Sequence, residues 1–175
     1  TNLPGFGIVF PHSFGGAESK LFTTLLTLSP AGDELTLNFA RELMVQEGLG
    51  QDDITDYLSI SFSSSYYVGH VFGPSSLESD DNLLRLDKTL SELFAFIDKH
   101  VGLDKTIIVL SADHGAAQVP KRLTEFGIDA QYFRPDSLEK QTVIKNIKAK
   151  YGIATELISG FNNPYIYLNN EILKK

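Results

Sequence analysis

The stretch TIIVLSADHG, residues 106–115, decides how the chain is interpreted. Its first half is an unbroken run of branched apolar side chains, which is the pattern of a strand buried on both faces. The run stops at Asp113, His114 and Gly115. In an open α/β sheet, ligands bind just beyond the carboxyl ends of parallel strands. We therefore expect residues 106–110 to form a buried strand, with Asp113 and His114 at its ligand-binding end.

Two chemical interpretations fit these letters. Neighbouring side chains in a strand point to opposite faces, but Gly115 permits a turn with positive φ. After such a turn, an Asp oxygen and a His nitrogen can bind one cation such as zinc. The alternative is an ordinary turn, in which Asp113 accepts local backbone hydrogen bonds. The stretch by itself leaves both open.

A second segment, DYLSISFSSSYYVGHVFGPSSLE at residues 56–78, has a related organisation. Leu58, Ile60 and Phe62 alternate with polar residues and predict a strand over 56–63. We expect residues 64–76 to form a loop that carries His70, next to a glycine that allows close backbone approach. A lone His in a loop is more often a surface residue than a ligand. Two such strand ends in one short chain favour a shared site.

The segment between the two strands predicts a long helix over residues 78–101, because its apolar residues recur at steps of three and four. A strand–helix–strand order indicates a parallel unit with a right-handed crossover. His70 and the Asp113-His114 pair would then lie at the same edge of the sheet. The predicted fold class is α/β, a mostly parallel sheet flanked by helices.

The other segments predict secondary structure but indicate little about function. Asp33 is a good N-cap for a helix over 33–47. Its apolar stripe, which we interpret as core packing, comprises Leu35, Phe39, Ala40, Leu43 and Met44. Short helices are predicted at 18–28 and 137–151. Two short apolar runs at 155–159 and 165–168 flank a Gly- and Asn-containing turn and predict a small β-hairpin near the C-terminus. We expect one domain over 1–175, or a fragment of a larger catalytic domain.

Composition narrows the function classes. A net charge of −7 disfavours a nucleic-acid partner, because such binders carry a basic surface. It also means that a phosphate ester would need local positive charge, such as a metal ion provides. The absence of cysteine excludes disulfides and Cys-type zinc sites. No apolar run reaches the ~18–20 residues of a membrane span, and no signal peptide is present in this sequence.

Taken in order, SFSSSYYVGHVFGPSSLE, RLDKTLSELFAFIDKHVG and IIVLSADHG resemble the alkaline phosphatase superfamily. The similarity is to its type I phosphodiesterase/nucleotide pyrophosphatase branch, which includes bacterial alkaline phosphatases. The resemblance implies part of a three-layer α/β fold and a zinc-dependent phosphohydrolase acting on a small phosphate ester. It also implies a periplasmic or extracellular location.

The same resemblance implies the site residues. The family holds two zinc ions, one through an Asp, through the Asp and His of its DHG motif and through a Thr or Ser nucleophile. The other ion is held by an Asp-x-x-x-His motif and a distant His. By position, Asp113 and His114 would bind the first zinc, and His70 would bind the second.

The sequence departs from this pattern in two ways. Tyr66 stands where the family has the Asp four residues before His70. A carboxylate is anionic at neutral pH, whereas tyrosine has a reference pKa of about 10, so the second site is in doubt. No segment resembles the family's nucleophile motif, and neither His12 nor His100 fits the distal ligand. We therefore expect an internal fragment, inactive alone, with no catalytic residue of its own.

Alternatives remain at this point. A catalytically dead domain with a binding or structural role would explain Tyr66. A sulfatase or a cofactor-independent phosphomutase would stay within the superfamily. The substrate, and the choice between monoester and diester, are left open by the sequence.

Overall fold

The computed structural model describes residues 6, 9–13, 15–162 and 164–173. These divide into two compact units, residues 1–123 and 124–175. Among the described residues, none of the helices has the length and hydrophobicity that a membrane span needs. The helices of the first unit are α1 Phe22–Thr27, α2 Ala31–Gln46, α3 Ser64–Phe72 and α4 Leu77–His100, and α5 Pro120–Glu125 spans the boundary between the units. The second unit contains α6 Thr142–Tyr151, strands β1 Ile158–Asn162 and β2 Tyr165–Leu168, and α7 Asn170–Leu173. Short 3₁₀ helices span Leu103–Lys105 and Pro135–Lys140.

Helix α4 confirms the long helix predicted over 78–101. Ser76 is its N-cap, and the Ser76 hydroxyl accepts a hydrogen bond from the Ser79 N–H at 3.1 Å. Acidic residues in the first turn and Lys99 and His100 in the last turn complement the helix dipole. Its fully buried residues are Ser79, Asn82, Thr89 and Leu93, and most of the predicted apolar residues are half-buried, including Leu86, Leu90 and Ile97. Leu93 is buried, but Leu83 is 56% exposed.

Helix α2 begins two residues earlier than predicted, at Ala31, and Asp33 does not cap it. The buried face of the helix includes Ala40 and Met44, as predicted for the core stripe. Leu35 and Phe39 belong to the same predicted stripe but are 55% and 70% exposed. The apolar pattern of this helix therefore predicted its existence but only part of its buried face.

Helices α2 and α4 lie side by side with the same chain direction. Arg85 forms an ion pair with Glu34 at 3.5 Å, and Arg41 pairs with Glu92 at 3.3 Å. The pair that lies nearer the start of α2 also lies nearer the start of α4, so the two helices run parallel. Such half-exposed pairs contribute little stability but define the register.

Helix α3 replaces the loop predicted over 64–76, so that prediction was wrong. Helix α3 ends at Phe72 because the next residue, Gly73, adopts φ +90°, a backbone conformation that residues other than glycine rarely adopt. A Cβ at Gly73 would also lie 2.9 Å from a Val119 methyl. The helix places Tyr66 and His70 four residues apart, on one face.

The two predicted parallel strands do not form a sheet in this chain. Among the described residues the only sheet is the antiparallel pair β1–β2, and the segments 56–63 and 106–111 have no ladder partner. Ile107 is 94% exposed, Val109 83% and Leu110 73%, so the predicted burial of 106–110 is wrong here. A strand is buried only by neighbouring strands and covering helices, and these residues lack such neighbours. The parallel arrangement and its crossover are therefore not shown.

The second unit confirms the C-terminal hairpin. Gly160 pairs with Tyr167 and Asn162 with Tyr165, with an irregularity in β1 near Ile158. Glu139 ties the preceding 3₁₀ helix to β1, since its carboxylate accepts a hydrogen bond from the Ile158 N–H at 2.6 Å. This hydrogen bond, together with the Lys148 ammonium, holds the pKa of Glu139 below its ordinary value. The helix predicted over 137–151 is a 3₁₀ helix followed by α6.

Candidate metal site

The predicted site begins on one face of α3. The rings of Tyr66 and His70 are in edge contact, with their centroids 4.4 Å apart and their planes at 64°. Tyr66 is 47% exposed. The helical spacing of four residues produces this contact, because such side chains lie one above the other on a helix.

His114 approaches the same face from the segment that follows residues 106–111. Its ring centroid lies 5.9 Å from that of Tyr66 and 6.0 Å from that of His70. The structure therefore brings together His70 and His114, two of the three residues that the sequence predicted as ligands. Tyr66 lies against both of them.

Close backbone packing holds this segment against α3. A Cβ at Gly69 would lie 3.6 Å from the Ala116 Cβ, an ordinary van der Waals distance, so the two elements are in direct contact at this point. Further along, the Gln118 side-chain amide donates a hydrogen bond to the Ser75 hydroxyl at 2.6 Å. These contacts set the position of His114 beside α3.

Asp113 is oriented by its neighbour in the chain. Its Oδ1 accepts a hydrogen bond from the His114 N–H at 2.9 Å, and its Oδ2 lies 3.3 Å from His114 Nε2. His114 Nδ1 lies 2.9 Å from the Gly115 carbonyl oxygen. Both imidazole nitrogens of His114 thus face oxygen atoms of the protein. The local backbone hydrogen bond to Asp113 agrees with the second of the two interpretations that the sequence left open, and Gly115 does not adopt the positive φ that the first one invoked.

The described residues supply only part of the ligand set that the family's pair of zinc ions needs. Among the described residues, no group of three or more His, Cys, Asp and Glu side chains could hold a metal ion. A structural zinc normally takes four ligands. The α3 side of the site offers His70 and a phenol in place of a carboxylate, and the Asp113 side chain is 71% exposed. In residue type, Asp113 and His114 still match half of one site.

Comparison with known proteins gives the family. The family model for type I phosphodiesterase/nucleotide pyrophosphatase matches residues 13–170. The chain belongs to this family. It is 44% identical over 111 residues to the alkaline phosphatase PhoV of Synechococcus elongatus, which covers 63% of this chain and 20% of that protein. It is 34% identical over 167 residues to a Myroides odoratus protein named calcium-transporting ATPase, which covers 94% of this chain and 30% of that one.

A solved structure supports the same assignment. The crystal structure of wild-type alkaline phosphatase PafA matches with a TM-score of 0.76 and 35% identity, over 87% of this chain and 28% of that chain. The fold is therefore that of an alkaline phosphatase in its matched part. The chain spans less than a third of the length of each of these relatives.

Sequence reasoning missed one residue that organises the site. Asp33 is buried, and its Oδ1 accepts a hydrogen bond from the Ser64 N–H at the start of α3. In the sequence, Asp33 is an acidic residue near a predicted helix start, and we interpreted it as the N-cap of that helix. No sequence pattern connects residues 31 positions apart.

If a metal ion is retained by this chain, Asp113→Ala is expected to release it. Asp113 is the only carboxylate among the three predicted ligands, and two remaining imidazoles make a weak site. Zinc content after dialysis at neutral pH measures the effect. Asp87→Ala, which removes an exposed carboxylate from α4, is the control and should leave zinc content unchanged. Equal zinc in both variants would reject the assignment.

Proposed function

We propose that this chain is the part of a metal-dependent phosphate ester hydrolase that brings His70, Asp113 and His114 to the reaction centre. The hydroxyl nucleophile would come from a segment outside these residues. The observation that carries the proposal is the meeting of the His70 and His114 rings, 6.0 Å apart, from two distant segments. The family match and the alkaline phosphatase relatives supply the reaction class.

The roles follow from the chemistry of the side chains. Zinc is the ion that a mixed Asp and His set favours, and when bound it would supply the positive charge that this acidic chain lacks for a phosphate group. Asp113 and His114 are the proposed ligands of one ion, and His70 of a second. The local hydrogen bonds of Asp113 would hold its carboxylate next to His114, while the packing at Gly69 would hold His114 next to α3. By its relatives, the whole protein would act in the periplasm or outside the cell.

A second candidate function is a domain that has lost catalysis and retains a binding or structural role. The contact between Tyr66 and both imidazoles favours it, because the phenol occupies the position of the expected carboxylate. The two candidates differ in metal content and in turnover.

The test uses the longer protein that carries these 175 residues. It is expected to hydrolyse p-nitrophenyl phosphate or bis-p-nitrophenyl phosphate, to lose activity after chelation and to regain it with zinc. The ratio of the two rates assigns the monoester or diester preference. A longer protein that folds but hydrolyses neither ester, with or without zinc, would reject the proposal in favour of the inactive domain.

A further inference from the structure

Asp33 is a carboxylate in an unusual position. It lies in the first turn of α2, yet its side chain is 2% exposed and forms no cap on that helix. Its Oδ1 instead accepts a hydrogen bond from the Ser64 N–H at 3.1 Å. Ser64 is the first residue of α3, so the carboxylate of one helix lies at the N-terminus of another.

The start of α3 has no cap from its own residues. Ser63, at the N-cap position, has helical backbone angles of φ −93° and ψ −6° and makes no side-chain cap hydrogen bond. Its hydroxyl is paired with that of Ser61 at 2.9 Å. The first N–H groups of a helix need an acceptor, and a negative charge there interacts favourably with the helix dipole. Asp33 supplies the acceptor to α3.

Two further contacts fix the same end of the helix. Gly32 lets the first turn of α2 approach α3, because a Cβ there would lie 2.9 Å from the Ser64 hydroxyl oxygen. On the other side, the fully buried Asn82 of α4 donates a hydrogen bond from its side-chain amide to the Ser65 hydroxyl at 2.7 Å. The first turn of α3 is therefore held by buried polar side chains from both neighbouring helices.

We propose that Asp33 is an interhelical cap that sets the position of α3, and hence a positioning residue for Tyr66 and His70. Tyr66 lies two residues beyond the capped N–H, and His70 lies about 9 Å along the helix from it at 1.5 Å per residue. The cap itself does not depend on the proposed function, but a role for the positioned rings at a metal site rests on that function. An occupied helix N-terminus also leaves no place there for an outside anion such as phosphate.

The charge of Asp33 is not what the cap requires. Its Oδ2 is buried and has no hydrogen-bond partner. Burial raises the pKa of the Asp33 carboxyl above its ordinary value, against the lowering effect of the hydrogen bond from Ser64. A neutral amide would keep the Oδ1 acceptor at the same place without the cost of a buried charge. Asn at position 33 should therefore preserve the cap.

The experiment compares the 175-residue chain with Asp33→Ala, Asp33→Asn and Leu93→Ala. Amide hydrogen exchange at residues 64–67 reports the cap, and the NMR signals of the His70 and His114 rings report the positioning. Asp33→Ala is expected to speed exchange at these amides by about fivefold to tenfold, the range for a lost cap, and to move both ring signals. Asp33→Asn should restore both to the wild-type values. Leu93→Ala, which removes a buried side chain of α4, controls for general destabilisation and should not move the rings.

Each result decides a part of the proposal. Wild-type exchange at 64–67 in Asp33→Ala would overturn the cap, as would loss of protection in Asp33→Asn, which keeps the acceptor. Faster exchange with unmoved ring signals would overturn the positioning role. If Asp33→Ala does not fold, Asp33→Ser, a shorter side chain with an acceptor, takes its place in the same comparison. None of these readouts requires hydrolysis, so they stand apart from the test of the proposed function.

Discussion

The 175-residue chain by itself is expected to hydrolyse p-nitrophenyl phosphate no faster than buffer does. It carries three candidate metal ligands but, among the described residues, no group able to hold a metal ion. It also spans only 28% of the alkaline phosphatase structure that it matches. Removing the nucleophile of a hydrolase costs several orders of magnitude in rate, which leaves weak residual catalysis. The measurement is initial rate against substrate concentration, with and without added zinc.

A control is needed against trace phosphatase from the expression host. The Asp113→Ala chain, purified in the same way, would show the same background rate as the wild-type chain. Saturable, zinc-dependent hydrolysis that disappears in Asp113→Ala would contradict the prediction and would place a working nucleophile within these residues.

Helices could be predicted from this sequence where the apolar period was long and the caps were local. The 24 residues of α4 are such a case, with Ser76 at one end and a positive-φ Gly102 just past the other. Its buried face was predicted less well, because Asn82 and Thr89 are buried among the helices and Leu83 is exposed. Hydrophobic period predicts that a helix forms. Which face it buries depends on the neighbours that happen to pack there.

The segments 64–72 and 106–110 show two different reasons for failure. The first was predicted as part of a loop over 64–76, because its serines and a glycine suggested a turn, but buried contacts to Asp33 and Asn82 stabilise it as α3. Local propensity is a weak prior that such tertiary contacts override. The second has the composition of a buried strand, and its side chains are exposed because no strand pairs with it among the residues that the structure describes. Whether such an apolar run is buried depends on the complete sheet around it.

The candidate site was predicted better than its surroundings. His70 and His114 come together although 44 positions separate them in sequence. Their meeting was expected, but from a parallel sheet that the described residues do not form. The sequence left two interpretations of Asp113 open, and only side-chain placement decides between them. The contact of Tyr66 with His70 follows from their four-residue spacing, whereas its contact with His114 depends on tertiary packing. The family pattern indicated the positions and, through Tyr66, the doubt about the second site, and the structure shows Tyr66 lying against both imidazoles.

Replacing Tyr66 with Asp in the longer protein is expected to raise its zinc stoichiometry from about one towards two, the pair in two-metal sites. The change restores an anionic oxygen four residues before His70, on the same face of α3. It also removes the ring that lies 4.4 Å from that imidazole. Turnover of p-nitrophenyl phosphate should rise by about tenfold or more, because a second ion stabilises charge on the leaving oxygen. In the isolated chain the gain should be small, since the other ligands are missing.

Two variants make this comparison specific. Tyr67→Asp adds the same charge to the same helix at a position three residues before His70, and it should raise neither zinc content nor turnover. Tyr66→Phe removes the hydroxyl and keeps the ring, so it should behave as the wild-type protein if the ring merely occupies the carboxylate position. Loss of a tightly bound zinc in Tyr66→Phe would instead show that the phenolate of Tyr66 is a ligand. Two zinc ions and high turnover in the wild-type protein would lead to the same conclusion, because Tyr66 or a neighbour would then replace the carboxylate.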